Sequence, residues 1–312
     1  MHSFIPSPTS ASGDDIEIHG TAKTALPIRV TVLLTCFNRK QHTMDCFSRL
    51  AKNTDLDHVR VDAVLVDDGS TDGTAEAVRE SFPWVQVVHD NGNLFWCRGM
   101  HRAFAIAQES DPDYFLWLND DTTLRSDAIA RLLACEATLR SANGKPVIVV
   151  GTTVDATTGA VTYGGERRAP GMKRSRFLRV LPSDVPQLCD SMNGNIVLIS
   201  REAALIVGNV DPAFEHAMGD TDYALRARKL GVEVWLGPGL YGECGGNAQT
   251  GTYMDPAMPL ARRWKQMMSR KGLPWRSWLV LTRRHMGPLW PLYFGWPYLS
   301  LLIGKYGRKG GR

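Results

Sequence analysis

The sequence lacks the cysteine spacing that marks small metal-bound or disulfide-bonded domains. Its six cysteines are scattered over 312 residues, and no two are spaced as Cys-x-x-Cys. Many zinc sites use such pairs, and disulfide frameworks are concentrated in small secreted domains. We therefore expect neither, and the simplest location for the chain is the reducing cytoplasm.

Long apolar runs are missing as well. Nowhere do 18 or more apolar residues follow one another without interruption, so the sequence predicts no transmembrane helix. Residues 1–26 are polar and small, and they contain no apolar core segment of the kind a secretory signal needs. We expect these residues to form a disordered tail.

Two common nucleotide-binding signatures are absent. No Gly-x-Gly-x-x-Gly triplet follows the first predicted strand, and the chain has no Gly-Lys-Ser/Thr phosphate loop. A formal net charge of +4 is too small to indicate a nucleic-acid partner. A hydrophobic share of 44% is ordinary for a soluble protein. The length suits one large domain with an appendage.

Apolar segments alternate with helical patterns along the first half of the chain. The predicted strands are residues 28–34, 61–66, 84–89, 114–118 and 147–150, with helices between most of them. The predicted helices include those at about residues 100–109, 201–207 and 223–230. This rhythm is typical of βαβ units and predicts an α/β fold with a mostly parallel sheet flanked by helices.

The run from Tyr114 to Leu118 has the continuous apolar character of a strand buried on both faces. It stops abruptly at Asn119-Asp120-Asp121, at the end where open α/β sheets bind ligands. Carboxylate oxygens there suit Mg²⁺ or Mn²⁺ with a diphosphate. The alternative is a polar turn that caps the next helix.

Acidic residues recur at three points in the predicted domain. They are the pairs Asp67 with Asp68, Asp120 with Asp121, and Asp220 with Asp222. Each pair alone is explained by turn chemistry or helix capping. Because the carboxyl ends of parallel strands meet at one crevice, three pairs together favour a site with divided roles in base recognition, metal binding and proton transfer.

These motifs resemble those of the family 2 glycosyltransferases. The matching segments lie in family order at residues 32–39, 66–74, 117–122 and 219–223, within a region of about residues 28–247. Residues 91–96, with Gly99 and Met100, are similar to the branch of bacterial polysaccharide enzymes that includes rhamnosyl- and galactofuranosyltransferases. The resemblance implies the GT-A fold, an inverting mechanism, and a UDP- or dTDP-sugar donor.

The resemblance also implies a nucleotide-sugar site. Its residues would be Thr35, Phe37, Asn38, Arg39, Asp67, Asp68, Asn93, Arg98, Asn119 and Asp120. Asp67 or Asp68 would accept a hydrogen bond from the pyrimidine N3–H, and Arg98 would approach the diphosphate.

Catalytic roles follow from the same resemblance. Asp121 aligns with the last acid of the family's Asp-x-Asp motif and would bind Mn²⁺ or Mg²⁺. Asp220 would be the general base, with Asp222 as the alternative. For contact with the sugar or the acceptor, the candidates are Trp96, Asn193, Gly194 and His216. Each also has a structural explanation, as a core aromatic, a turn or a buried histidine.

The chain departs from the family pattern at two places. Gly219 stands where the family often has Glu before the base. A His that commonly completes the metal site after the last strand is absent, and Glu243 or Cys244 is the nearest candidate. These departures concern metal dependence rather than the fold.

The C-terminal quarter differs in composition from the rest. We predict a transferase domain at residues 27–250 and a basic, aromatic helical region at 251–312. Trp and Tyr beside Arg and Lys suit the surface of an anionic membrane, here its inner face, where a lipid-linked acceptor would lie. The alternatives are a saccharide acceptor, and a helical hairpin packed on the domain or on a second subunit.

Two rival functions remain at this point. A sugar nucleotidyltransferase would share the sheet and an acidic metal site. A catalytically impaired protein that only binds nucleotide or glycan would explain the missing Glu and His.

Overall fold

The computed structural model describes residues 26–53, 56, 58–246 and 250–304. Residues 1–25 of the expected tail lie outside these ranges, as do the last eight residues of the expected C-terminal region. The described chain forms one large sheet with helices on both faces and two smaller sheets.

The strands are named in chain order. They are β1 Ile28–Cys36, β2 Val59–Asp67, β3 Val85–His89, β4 Tyr114–Leu118, β5 Thr123–Leu124, β6 Val147–Val150, β7 Thr153–Val154, β8 Val161–Tyr163, β9 Gly165–Arg168, β10 Phe177–Arg179, β11 Gln187–Cys189, β12 Ser191–Met192, β13 Ile196–Ser200, β14 Glu233–Leu236 and β15 Gly242–Glu243.

The α-helices follow the same convention. They are α1 Lys40–Leu50, α2 Thr74–Ser81, α3 Phe95–Glu109, α4 Ala128–Asn143, α5 Arg201–Val207, α6 Gly219–Lys229, α7 Leu260–Met267, α8 Trp275–His285 and α9 Trp290–Leu302.

The large sheet has the order β11-β14-β6-β13-β4-β1-β2-β3. Strands β4, β1, β2 and β3 are parallel neighbours, whereas β13 runs antiparallel to both β4 and β6. The predicted mostly parallel α/β sheet is therefore confirmed, with the antiparallel strand β13 near its centre and the antiparallel strand β11 at one edge.

Strand β4 lies in the middle of the sheet and contributes to a core on each face. Phe115 and Trp117 pack into one hydrophobic cluster with α3, α5, α6 and α8, while Leu116 and Leu118 pack into the other with α1, α2 and α4. Because successive side chains of a strand point to opposite faces, a continuous apolar run is what this position requires.

Two helices begin earlier than the sequence predicts. Helix α3 starts at Phe95 rather than near Met100, because the carboxylate of Asp68 accepts hydrogen bonds from the first free backbone N–H groups. Helix α6 starts at Gly219 rather than at Tyr223, so Asp220 and Asp222 lie in its first turn. Carboxylates are favoured there by the helix dipole.

The C-terminal helices are packed on the domain. Helix α8 contacts α6, and the indole of Trp278 on α8 donates to the backbone oxygen of Phe294 on α9 at 3.2 Å. In the described part of the chain, none of the helices combines the length and apolar character that crossing a bilayer requires.

Candidate functional site

The acidic doublet after β4 is held by an arginine from the end of β1. The two terminal nitrogens of Arg39 each donate to one carboxylate, at 2.8 Å from Asp120 Oδ1 and 2.8 Å from Asp121 Oδ2. Strands β1 and β4 are parallel neighbours, so their carboxyl ends bring the three side chains together. Arg39 is two-fifths exposed, which leaves the group open to a ligand.

Asp120 is the buried member of this doublet. Burial raises its pKa to about 7, although the Arg39 guanidinium acts in the opposite direction. Its Oδ2 atom is buried and has no hydrogen-bond partner. An unsatisfied carboxylate oxygen beside the partly exposed Asp121 is a donor set that fits a divalent cation, because Mg²⁺ is commonly bound by one or two carboxylates together with substrate phosphates.

Cys244 lies beside Asp121, where the family pattern places a His. Its Sγ is 3.5 Å from Asp121 Oδ1 and 3.5 Å from the side-chain nitrogen of Asn195. Burial and the Asp121 carboxylate raise the pKa of the thiol to about 12, so it is neutral at physiological pH. Within the described ranges, no group of three or more His, Cys, Asp or Glu side chains is placed to hold a metal.

Asp67 and Asp68, after β2, are both buried and bound to their own loops. Asp67 accepts from the backbone N–H of Ser70 at 3.0 Å and contacts His89 Nδ1 at 3.2 Å. Asp68 accepts four backbone hydrogen bonds from Gly92, Leu94 and Phe95. The structure thus gives Asp68 the role of a cap for α3, and recognition of the base by either residue stays a prediction.

The other residues predicted to line the nucleotide pocket surround the end of β1. Phe37 is half exposed, and Asn38 adopts a left-handed backbone conformation with φ 50°. The Asn38 side chain accepts from the Thr71 N–H at 2.8 Å, which ties the β1 loop to the β2 loop. Thr35 is buried, and Gly99 lets α3 approach it closely, since a Cβ there would lie 2.3 Å from the threonine Oγ1.

Asp220 lies at the N-terminus of α6. Its Oδ1 accepts from the Thr221 N–H at 2.8 Å, and its Oδ2 accepts from the Gly194 N–H at 3.1 Å. Burial raises the pKa of this carboxyl, against the lowering effect of the backbone donors. The arrangement fixes one orientation of the carboxylate and makes it a stronger proton acceptor than an ordinary Asp.

A chain of contacts joins Asp220 to the acidic doublet. The Trp96 indole nitrogen donates to Asn119 Oδ1 at 2.7 Å, directly before Asp120. The same indole packs on Gly194, where an added Cβ would lie 2.4 Å from the ring. Gly194 in turn binds Asp220. Of the predicted site residues, Trp96, Asn119, Gly194 and Asp220 are therefore brought together.

Glu166 on β9 also belongs to this group and is not among the residues predicted from the sequence. Burial and the neighbouring Asp220 carboxylate raise its pKa to about 7, while the side chain of Asn193 has a lowering effect. Strand β9 pairs with β12, which directly precedes Asn193. Glu166 stands alone among basic and small residues, so no sequence pattern identifies it.

Three further candidates lie at the edge of the site or away from it. His216 is partly buried, and its burial together with the charges of Lys271 and Arg39 lowers its pKa, which favours the neutral ring. Arg98 contacts Glu215 at 3.4 Å and the backbone of Pro212, rather than the acidic doublet. Asn93 is exposed, and its side-chain nitrogen donates to the backbone and side-chain oxygens of Asn91.

Asp222, the alternative candidate for the base, lies among partners from α6 and α8. Its carboxylate is completely buried and accepts hydrogen bonds from Arg226, Arg284 and His285 at 2.8 to 2.9 Å. Burial by itself would raise its pKa, but these partners hold the pKa below the ordinary value of an Asp. Asp222 therefore fastens α8 to α6, and a catalytic role for it has no support from its position.

Comparison with solved structures identifies the fold. GalNAc-T7 with UDP, GalNAc and Mn²⁺ aligns with a TM-score of 0.55 and 16% identity, over 70% of this chain and 43% of that one. The mannosyltransferase PcManGT from Pyrobaculum calidifontis, in complex with GDP-Man and Mn²⁺, aligns with a TM-score of 0.51 and 16% identity, over 89% of this chain and 74% of that one. S. aureus TarS aligns with a TM-score of 0.50 and 12% identity, over 70% of this chain and 36% of that one.

The chain thus spans less than half the length of GalNAc-T7 and TarS. These likenesses confirm the predicted GT-A fold. No curated protein matches the chain. A family model, however, matches residues 31–202, which is more than half of the chain and includes the loops after β1, β2 and β4. With that match, this GT-A chain belongs to glycosyl transferase family 2.

Proposed function

We propose that the protein is an inverting transferase that uses a nucleoside-diphosphate sugar and adds the sugar to a hydroxyl of a saccharide or lipid-linked acceptor. The observation that carries this proposal is the orientation of Asp220. Its carboxylate is bound by two backbone N–H groups and is joined through Gly194, Trp96 and Asn119 to the acidic doublet. A base and a diphosphate site on one crevice are the two parts that this reaction needs.

In the proposed reaction, the acceptor oxygen forms a bond to the anomeric carbon while the bond from that carbon to the diphosphate oxygen breaks. Asp220 takes the proton of the acceptor hydroxyl, and the nucleoside diphosphate departs with the bonding electron pair. Attack on the face opposite the leaving group inverts the anomeric centre. A raised pKa suits this role, because a carboxylate with a higher pKa accepts the proton more readily.

The departing diphosphate is an anion and needs positive charge beside it. The side chains of Asp120 and Asp121 would hold Mg²⁺ or Mn²⁺ there, and such a cation offsets charge on the leaving group. Arg39 contacts both carboxylates and is partly exposed, so it supplies further positive charge at the same place. GalNAc-T7 and PcManGT were each solved with Mn²⁺.

The donor and acceptor classes are also part of the proposal. We infer a UDP- or dTDP-sugar, used in the synthesis of a cell-surface polysaccharide on the cytoplasmic side of the membrane. The motif at residues 91–96 supports this, because it resembles that of bacterial polysaccharide enzymes. Trp96 packs edge-on against Trp117, with ring centroids 6.0 Å apart, which fixes the Trp96 ring beside the crevice.

The Asp220→Asn variant tests the proposal. We expect loss of transfer by at least about a thousandfold, with retained nucleotide binding, since the amide keeps the size of the side chain but cannot take a proton. The measurement is release of nucleoside diphosphate in the presence of acceptor, together with nucleotide binding by calorimetry. Glu76→Gln, on the exposed face of α2, is the matched control. Transfer near the wild-type rate in Asp220→Asn would exclude Asp220 as the base.

The rival functions give different products in the same assays. A sugar nucleotidyltransferase releases pyrophosphate from a nucleoside triphosphate. The proposed reaction neither uses a nucleoside triphosphate nor releases pyrophosphate. A protein that only binds its ligand shows neither transfer nor slow hydrolysis of the nucleotide sugar. Either result would replace the proposed function.

A further inference from the structure

The outer face of α9 presents a continuous apolar stripe. Leu292, Trp296 and Leu299 within the helix, with Leu289 directly before it and Ile303 directly after it, follow each other at intervals of three and four residues, and their exposed fractions lie between 50 and 63%. Residues at these intervals lie along one side of a helix. A contiguous exposed apolar surface of this kind marks an interaction site more often than scattered single residues do.

The inner face of the same helix is already occupied. Pro297 and Leu301 are buried, and Phe294 and Tyr298 pack against the core cluster that contains α8. Helix α9 contains no charged residue, so both of its faces are apolar. A surface helix of a soluble protein normally directs polar side chains outward. The exposed stripe is therefore not explained by the packing of α9 on the domain.

The charge of the region around α9 is unlike that of the rest of the chain. Twelve of the 36 Lys and Arg residues lie after Asp255, whereas none of the 32 Asp and Glu residues does. The chain up to Asp255 therefore carries 24 basic against 32 acidic residues. Exposed basic side chains of this segment include Arg262, Lys265, Lys271, Arg276 and Arg283. The apolar stripe thus belongs to a strongly cationic region on an otherwise acidic chain.

The exposed apolar stripe and the positive charge together distinguish between two possible partners for this face, a second copy of the chain and a lipid bilayer. A second copy of the chain docked by the same face would bring two cationic regions together, and like charges across an interface are unfavourable. An anionic bilayer attracts Lys and Arg and accepts Trp and Leu at the level of its headgroups. Helix α9 is about 20 Å long, which suits a helix lying in the interface better than one crossing it.

We propose that the outer face of α9, with the basic side chains around it, binds the surface of an anionic lipid bilayer. The purpose of this contact rests on the proposed function, because a lipid-linked acceptor would be presented at that surface. The identity of the partner rests only on the exposed stripe and the charge. The bilayer lipids, rather than a partner protein, are the ligand.

The binding surface is fixed relative to the base. Helix α9 packs on α8, and Arg284 and His285 of α8 bind Asp222, which lies two residues after Asp220 on α6. Lys229 at the end of α6 also donates to the backbone oxygen of Arg284. Because both ends of α6 hold α8, the distance between Asp220 and a bound membrane is set by packed helices and not by a flexible linker.

Vesicle sedimentation of the full chain tests the proposal. The probes are vesicles of phosphatidylcholine alone and vesicles containing one-third phosphatidylglycerol. We expect the wild type to sediment with the anionic vesicles, and binding to decrease as salt is added. The double variant Leu292→Ser with Trp296→Ser should bind at least tenfold more weakly. Leu205→Ser is the matched control, because Leu205 is 74% exposed on α5, outside the stripe.

Each alternative result overturns the proposal. Binding of the double variant at the wild-type level would show that the apolar stripe does not contact the bilayer. Equal binding to both vesicle types would show that the basic side chains do not select anionic lipids. A concentration-dependent dimer, detected by light scattering and lost in the double variant, without vesicle binding, would identify a second copy as the occupant. Transfer to a soluble saccharide is measured separately on the same variants. Failure of the wild type with both a soluble saccharide and a lipid-linked acceptor would contradict the proposed function and leave the lipid binding intact.

Discussion

Asn119 stands where the family pattern has the first acid of its metal motif, and the structure gives it another task. Its side-chain oxygen accepts the indole N–H of Trp96 at 2.7 Å, next to the buried Asp120. An amide can hold the indole without adding a third negative charge to a doublet in which the pKa of one acid is already raised. We interpret Asn119 as the residue that positions Trp96.

Gly194 separates the ring of Trp96 from Asp220, and this predicts the effect of adding one methyl group. In Gly194→Ala the new Cβ would meet the indole at 2.4 Å, and the rigid ring would have to move from its bond with Asn119. We expect kcat to fall at least about tenfold with a smaller change in nucleotide affinity. Steady-state kinetics measure this. Gly295→Ala, with open space around the added Cβ, should behave as the wild type, and equal effects in both variants would contradict the prediction.

Glu166 and Asp220 form a pair of carboxylates that repel each other when both are ionised, and this predicts a pH effect. In Glu166→Gln the neighbouring negative charge is removed, which lowers the pKa of Asp220. Since the proposed base must be ionised, the acidic limb of kcat/KM should move to lower pH. A pH–rate profile measures the shift. An unchanged limb, or one displaced to higher pH, would show that Glu166 does not influence the base.

At the scale of elements, α6 carries the proposed base and also holds the C-terminal helices. Its first turn places Asp220 against the Gly194 N–H and Asp222 against α8, and Arg226 one turn later binds Asp222 at 2.9 Å. Arg284 joins Asp222 to Asp211 in the loop before α6. The C-terminal helices are therefore fastened to the helix that carries Asp220.

This fastening predicts a loss of stability in Asp222→Asn. The amide cannot satisfy Arg226, Arg284 and His285 as the carboxylate does, and positive charge would be left partly buried without its partner. We expect the free energy of unfolding to decrease by about 3 kcal/mol. Denaturant unfolding measures this. Asp220→Asn, two residues away, should unfold close to the wild type, and a comparable loss there would contradict the assignment of the two roles.

At the scale of the whole molecule, ligand binding should raise the thermal stability of the native state. A nucleotide at 100 times its dissociation constant adds about 2.7 kcal/mol of stability. We expect UDP or dTDP with Mn²⁺ to raise the melting temperature by several degrees, and EDTA to remove most of that increase and to stop transfer. Thermal-shift measurements across nucleotides test this. If EDTA left the increase in melting temperature unchanged, nucleotide binding would not need a metal, and Asp120 and Asp121 would only accept hydrogen bonds from Arg39.

Much of the fold could be predicted because local patterns dictate it. The strand Tyr114–Leu118 and the helix Arg201–Val207 have the predicted bounds, since apolar periodicity and the cap at Ser200 depend only on nearby residues. The starts of α3 and α6 could not be predicted. Asp68 caps α3 from 27 positions before Phe95, and contacts at that separation leave no local pattern.

The sequence alone determined the family, the order of the acidic pairs and the apolar, basic character of the C-terminal region. The tertiary structure decided the surroundings of the acids: Asp68 caps α3, Asp120 and Asp121 both meet Arg39, and Asp220 and Asp222 have different partners. Asp220 and Asp222 differ by two positions, which is about 200° around a helix, so only one can face the crevice while the other faces α8. Glu166 was identifiable only after folding, because its nearness to Asp220 arises from the pairing of β9 with β12.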